Sequence, residues 1–400
     1  MKKSPILILT SSFPRWPKDT DPPFVYQLAH KLSDSFDVTV LAPHCHGARK
    51  YEKLDNLNVV RFKYFFEKYQ KLAYQGGILS NLKHNSFLYL QIPFFILFEL
   101  ASLLHLIARL KPKVIHAHWV IPQTLIAVIA CRMVKCAPKI ICTAHGADVY
   151  GLKGRLFKKI KQFVFRNVDV CTVVSNALKK EVLRLSEDSL PIHVMPMGVD
   201  LTDLFTQSQN PPHRNQLLFV GRLVEKKGVH YLLEAMPKII EDIPDATLQV
   251  IGDGHNKSDH IRYVNENNLE SSVIFHGAVN NKELPQFYQA SEILIFPSIV
   301  AKDGDQEGLG LVPVEAMGCG CGIIATDLDA LKDVVQDKIT GLIIPQRSSE
   351  AIAAAVLQLL QNRSQLGQYR RAGRQYALQR FDWNVVAEGY KKVIQYMIDA

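Results

Sequence analysis

The sequence lacks an apolar run near its start long enough for the core of a signal peptide: after Met1-Lys2-Lys3 the stretch is only Ile6 to Leu9. It reads instead as a first buried strand, and a cytoplasmic location is expected. The seven cysteines are odd in number and mostly sit in apolar runs (Cys131, Cys136, Cys142, Cys171). No pair at zinc-finger spacing is followed by a second pair, so free thiols in a reducing compartment are expected. Cys319 and Cys321 form a C-x-C, but their glycine neighbours point to tight packing rather than metal. No G-x-x-x-x-G-K-[ST] loop occurs, which excludes a P-loop NTPase. There is no RNP motif, no helix-turn-helix pattern and no aromatic stripe for stacking bases, so nucleic acid is not an expected partner.

What is present is globular. Of 400 residues, 48% are hydrophobic and 21% charged, enough for two or three domains with large cores that need no disulfides. Net charge is +9, unevenly spread: residues 1–195 hold 28 Lys and Arg against 13 Asp and Glu, the remainder 19 against 25. A basic first half beside a mildly acidic second implies different partners, and an anionic membrane surface or a diphosphate-bearing acceptor suits the first. Its densest basic cluster is KGRLFKKIKQFVFR, Lys153 to Arg166.

Apolar strands alternate with amphipathic helices. Strand-like runs are 5–10, 36–43, 113–119, 139–146 and 168–175, with helical stretches at 24–34, 86–110, 122–135 and 155–166. This β–α repetition predicts a parallel sheet covered on both faces. A proline-rich, polar segment at 191–215 reads as a linker. The pattern then restarts with strands at 216–221, 246–252, 272–277, 292–298, 322–326 and 340–345, and ends in helices 348–362, 364–380 and 383–398. Two doubly wound α/β domains in tandem are predicted, with the ligand at the carboxyl ends of strands in a cleft between them.

The segment 87–110 is mostly apolar and long enough to cross a bilayer, but it contains Pro93, Glu99, His105 and Arg109. It reads first as a core helix leading into the strand at 113, and second as a membrane-facing or acceptor-binding helix.

DGDQEGLGLVPVEAMGCG, from Asp303 to Gly320, carries Glu307 and Glu315 with seven residues between them. Glycosidase carboxylates flank one bond, roughly 5–9.5 Å apart. Eight residues of helix would rise about 12 Å, so these glutamates suit two parts of one elongated ligand. Glycines between them let backbone approach closely, and Pro313 fits a first helical turn. A helix N-terminus preceded by glycines suits phosphate. In FVGRLVEKKG, Arg222 follows an apolar strand and Lys227 precedes a glycine, a fork and a point charge for phosphate oxygens. The implied ligand is a diphosphate with a polar group at each end, which describes a nucleotide sugar. VIGDGHN (250–256) has two glycines after a strand but lacks the full G-x-G-x-x-G, so it adds little.

The E-x₇-E of Glu307 and Glu315 resembles the signature of glycosyltransferase group 1, family GT4. So do GRLVEKKG, HAHWVIPQ (116–123), TAHGADVY (143–150) and MGVD (197–200). The likeness spans nearly the whole chain with its motifs in order. It implies a GT-B fold: an acceptor-binding domain at 1–195, a nucleotide-sugar domain at 196–382, and a last helix, within 383–400, packing back on the first. It further implies that Glu307 holds donor-sugar hydroxyls and Glu315 the ribose hydroxyls. Arg222 and Lys227 would neutralise the leaving diphosphate, helped by the backbone of Gly308, Leu309 and Gly310. His145 would stand across the cleft beside the donor sugar, with His118, Asp148 and Arg15 on the acceptor side and Asp148 orienting its loop. His116 and His118 alternate on one strand, so one of them is expected to face sheet packing.

Two departures from the family pattern stand out. SSFPRWPKDTDPPF (11–24) replaces a glycine pair after the first strand, giving a stiffer, larger loop in which Arg15 contacts ligand or forms a surface salt bridge. Met197 stands where asparagine is common. The implied chemistry is retaining transfer from a UDP- or GDP-sugar to a hydroxyl of a glycan or lipid-linked acceptor. It would serve polysaccharide or glycolipid synthesis, peripheral to the membrane. Asp303 and Asp305 spell a D-x-D, but no metal or other cofactor is expected. A glycoside phosphorylase and a non-catalytic, membrane-docked scaffold are the alternatives.

Overall fold

The computed structural model describes residues 3–16, 19, 24–74, 77–186, 190–302 and 304–400. Asp303 and much of the 11–24 loop lie outside them. The chain divides into two compact units. One comprises Met1–Val174, Leu178–Gly198 and Val386–Ala400; the other comprises Ser175–Ala177 and Val199–Val385.

The first unit is built on β1 (Pro5–Leu9), β2 (Asp37–Pro43), β3 (Tyr51–Leu54), β4 (Leu57–Phe62), β5 (Val114–His118), β6 (Lys139–Ala144), β7 (Val170–Val173) and β8 (Ile192–Val194). Its sheet runs β3-β4-β2-β1-β5-β6-β7-β8, parallel except for the β3–β4 hairpin. The second unit holds β9 (Gln216–Val220), β10 (Thr247–Ile251), β11 (Val273–Gly277), β12 (Ile293–Phe296), β13 (Gly322–Thr326) and β14 (Leu342–Ile344). These form a wholly parallel sheet, β11-β10-β9-β12-β13-β14. Strands such as Ile293–Phe296 and Gly322–Thr326 are buried at every residue. They therefore need helices on both faces, and their unbroken apolar runs follow from that double burial.

In each unit the strand order reverses once: between β1 and β5 in the first, and between β9 and β12 in the second. Crossovers leave in opposite directions at such a point and open a crevice at the carboxyl ends of the strands. In the second unit β9 and β12 pair only through Ile293–Leu217 and Leu294–Leu218, so their carboxyl ends carry no shared ladder.

Two parts of the sequence reading are corrected. The β3–β4 hairpin was not foreseen; its burial alternates only weakly, and Tyr51, Lys53 and other polar positions mask the strand period. The segment read as linker contributes β8, which pairs Cys171–Ile192 to Val173–Val194 and belongs to the first unit. At three residues it is too short to show a period. The last helix, Trp383–Asp399, contributes Val386 onward to the first unit. There Tyr390 is buried, and a Cβ on Gly389 would lie 3.0 Å from Met195.

Candidate active site

In the second unit the charged cluster forms at the β9/β12 switch point. After β9, Gly221 and the exposed Arg222 lead into a short 3₁₀ turn, Glu225–Lys227, closed by Gly228 in the left-handed region (φ 63°). A Cβ on Gly228 would stand 1.9 Å from the Pro297 carbonyl, so only glycine lets this turn lie against the end of β12. The buried Lys227 is thereby placed with its ammonium 4.6 Å from the centre of the Phe296 ring and 3.0 Å from Glu307 Oε1. The Lys227–Glu307 contact is an ion pair. Lys226 pairs with Asp305 at 3.1 Å. No carboxylate among the described residues pairs with Arg222. Burial would raise the Glu307 carboxyl, but Lys227, Lys226 and Arg222 together outweigh it and hold the group below its usual range.

Glu315 is tuned the other way. It lies on the helix Leu311–Cys319, which begins behind Gly310 (φ 85°). The N–H groups of Gly308, Leu309 and Gly310 find no acceptor among the described residues, so this helix start offers donors and the positive end of its dipole. Burial lifts the Glu315 carboxyl to about 7, against the hydrogen bond from the Tyr288 hydroxyl (2.7 Å) and the pull of Lys227. One cluster thus holds a firmly ionised carboxylate beside two lysines, a carboxyl poised near neutrality, an exposed guanidinium and a row of amide donors. It is suited to gripping a diphosphate flanked by hydroxyl-bearing groups.

The first unit gathers histidines at the ends of β5 and β6. His118 Nδ1 lies 3.0 Å from His145 Nε2, and His116 Nε2 lies 2.6 Å from Thr143 Oγ1, which bonds Thr172 Oγ1 at 2.6 Å. Both His116 and His118 are fully buried, their rings 4.4 Å apart, contrary to the expectation that one would turn away. Side chains two apart on a strand share a face. The rings form a column: Tyr390, His116, His118 and His145 follow one another at centroid spacings of 5.4, 4.4 and 5.2 Å. Trp119, at φ 72°, and Phe24 flank the half-buried His145 at 4.9 and 5.2 Å. Burial drives His116 to about 3 and His118 well below its ordinary value, and it lowers His145 too, so the column is neutral at pH 7.

Asp148 touches the backbone rather than open space. Its Oδ1 accepts from the N–H of His145 (3.1 Å) and Gly146 (2.9 Å), and its Oδ2 from Val120 (2.8 Å). That is a loop-holding carboxylate. Arg15 is not at the surface: it is buried, with two bonds to Asp19 at 2.7 and 2.5 Å and its guanidinium over Trp16 and Tyr74. Sequence reasoning missed Tyr288, Phe296, Thr143, Thr172 and Tyr390. Thr143 opens the quoted TAHGADVY stretch but was given no role there; the others come from distant positions outside the quoted motifs, and the period-two spacing of the 116/118 pair was the one usable signal.

Two units of Rossmann-like strand order in one chain, the second bearing a cationic, amide-rich cluster at its switch point, define a GT-B architecture. The sequence matches the model described as Glycosyltransferase Family 4 over residues 23–203, and that described as Glycosyl transferases group 1 over residues 201–377. The chain belongs to this family of glycosyltransferases, and it is an enzyme of that class. It is 27% identical over 289 residues to a glycogen synthase of Mycobacterium tuberculosis, covering 71% of this chain and 68% of that protein. It is 26% identical over 264 residues to a GDP-mannose-dependent α-(1-6)-phosphatidylinositol monomannoside mannosyltransferase of the same organism, covering 63% and 68%. HepE of Anabaena, solved in complex with UDP and glucose, shares the fold with a TM-score of 0.72 at 16% identity, over 98% of this chain and 100% of that one.

Proposed function

We propose that the protein transfers a sugar, with retention of anomeric configuration, from a UDP- or GDP-sugar to a hydroxyl of a glycan or lipid-linked acceptor in polysaccharide or glycolipid assembly. The observation that carries this is the second-unit cluster, in which Lys227 and Glu307 are paired at the switch point beside an exposed Arg222 and the amide-rich start of the Leu311–Cys319 helix. Two similar proteins, one GDP-mannose-dependent and one solved with UDP and glucose, support a nucleotide donor.

In this reading Arg222, Lys227 and the amides of Gly308–Gly310 bind the diphosphate and stabilise it as it departs. Glu307, kept ionised, accepts from donor-sugar hydroxyls, and Glu315 accepts from the ribose hydroxyls. The acceptor oxygen forms its bond to the anomeric carbon as the bond to the diphosphate oxygen breaks. The diphosphate leaves with that electron pair, and a donor phosphate oxygen takes the hydroxyl proton. His145, neutral, hydrogen-bonds the donor sugar, while His118 and Asp148 hold it in place. Arg15, engaged with Asp19, shapes the loop after β1. No metal enters the scheme. The free state of all seven cysteines suits a cytoplasmic site of action.

Lys227→Ala and Glu307→Ala should each lower transfer at least ~100-fold while keeping a cooperative thermal melt, and wild-type transfer should persist in EDTA. Wild-type rates in either variant, or breakdown of a glycoside that requires inorganic phosphate and no nucleotide, would overturn the reading.

A further inference from the structure

The helix Ile92–Leu110 and the 3₁₀ turn Ser86–Gln91 before it have two apolar faces. Leu88, Gln91, Phe95, Glu99, Leu103 and Leu106 point into the first unit. The other face is bare: Phe87 is 86% exposed, Leu90 67% and Leu97 57%, with Phe94 and Phe98 beside them. These positions recur at three- and four-residue spacing, a single continuous stripe. The loop before it adds to the same surface. Phe66 is 75% exposed, and the loop is tied to the stripe by the Phe65–Phe94 ring contact (5.7 Å) and the bond from Gln91 Nε2 to the Tyr69 carbonyl (2.7 Å). Scattered exposed apolar side chains are ordinary, but a contiguous row of aromatic and leucine side chains marks a surface that meets another phase or partner.

The charge around the stripe selects the occupant. Residues 63–98 contain four lysines (Lys63, Lys68, Lys71, Lys83) and a single acidic residue, Glu67, which pairs with Lys63 at 2.7 Å. Tyr69 and Tyr89 sit exposed at the margin, amphipathic rings of the kind that favour a headgroup layer. Glu99 and Gln91 lie on the core-facing side, so the segment lies along a surface instead of crossing one.

We infer that this face of the first unit docks on an anionic phospholipid surface, with Phe87, Leu90, Phe94 and Phe66 entering the acyl boundary and Lys68 and Lys71 meeting the headgroups. It rests on the first unit alone and holds or fails independently of the donor chemistry. Docking would hold the enzyme on the two-dimensional phase in which a lipid-linked acceptor resides.

The test is co-sedimentation of the full chain, without nucleotide or acceptor, with vesicles of phosphatidylcholine alone and of phosphatidylcholine with phosphatidylglycerol. Binding should require the anionic lipid and fall with salt. The combined variant Phe87→Ser/Leu90→Ser/Phe94→Ser should bind about 100-fold more weakly with an unchanged melt and solution mass. Lys68→Glu/Lys71→Glu should bind about tenfold more weakly. If the triple variant does not fold, Phe87→Ser alone, at the most exposed position, should still cost about fivefold. Three results would overturn the inference: wild-type protein that stays in the supernatant with anionic vesicles, serine variants that bind as wild type does, or a wild-type dimer that the triple variant splits, which would assign the face to a second copy of this chain.

Discussion

Glu307 and Glu315 share one cluster, yet their surroundings drive them apart. Two lysines and a guanidinium keep Glu307 charged, while burial raises the Glu315 carboxyl to about 7 in spite of the hydrogen bond from Tyr288. If Glu315 accepts from ribose hydroxyls it must be ionised to do so. Affinity for a nucleotide sugar, whose diphosphate diester keeps its charge across the range, should then rise about tenfold from pH 6 to pH 8. Glu315→Gln should bind weakly and with no such rise. Titration calorimetry at the two pH values checks this, and an equal slope in the variant would assign the pH effect elsewhere. Glu307, Glu315, Arg222 and Lys227 were singled out in the sequence because the chemistry demands their types at short spacing; Lys226 was not. The loop-orienting role of Asp148 came from the family resemblance alone. Tyr288 and Phe296 were not, because they meet Glu315 and Lys227 only through the packing of β12 and its neighbours.

Among the elements, the parallel strands and most helices announced themselves through unbroken apolar runs and the 3.6-residue period. The hairpin at Tyr51–Phe62 and the three-residue β8 did not, being too polar or too short. The helix at 92–110 carried the most information and was the hardest to read, since a helix apolar all round does not say which side is core. Glu99 marks that side. It is fully buried, and burial lifts its carboxyl from 4.5 to about 8. A group whose pKa rises on folding stabilises the fold while protonated. That contribution is complete below pH 4.5 and is lost as pH climbs through about 8. Between pH 5 and pH 8 the wild-type melting temperature should therefore fall, and Glu99→Gln, neutral throughout, should fall by several degrees less. Glu315 shifts with the same sign, but it is present in both proteins and cancels in the difference between them. Identical pH profiles for the two proteins would show that burial does not raise the Glu99 carboxyl.

For the whole molecule, the uneven charge matches a division of labour. The basic first half bears the lysine-edged apolar stripe and the neutral histidine column. The mildly acidic second half concentrates its useful cations at one switch point rather than spreading them. The two-unit α/β architecture could be read from the restart of the strand–helix pattern, because period and repetition are properties of sequence. Which residues meet at each switch point is a property of strand order, and strand order is not written locally. The account as a whole rests on the second unit's cluster being a diphosphate grip. Titration calorimetry of the wild-type chain and of Lys227→Ala against a panel of UDP-, GDP- and ADP-sugars tests it most directly. The account predicts saturable heat with one nucleotide class and binding at least ~10-fold weaker in the variant; no heat from any member of the panel, or equal affinity in the two proteins, would contradict it.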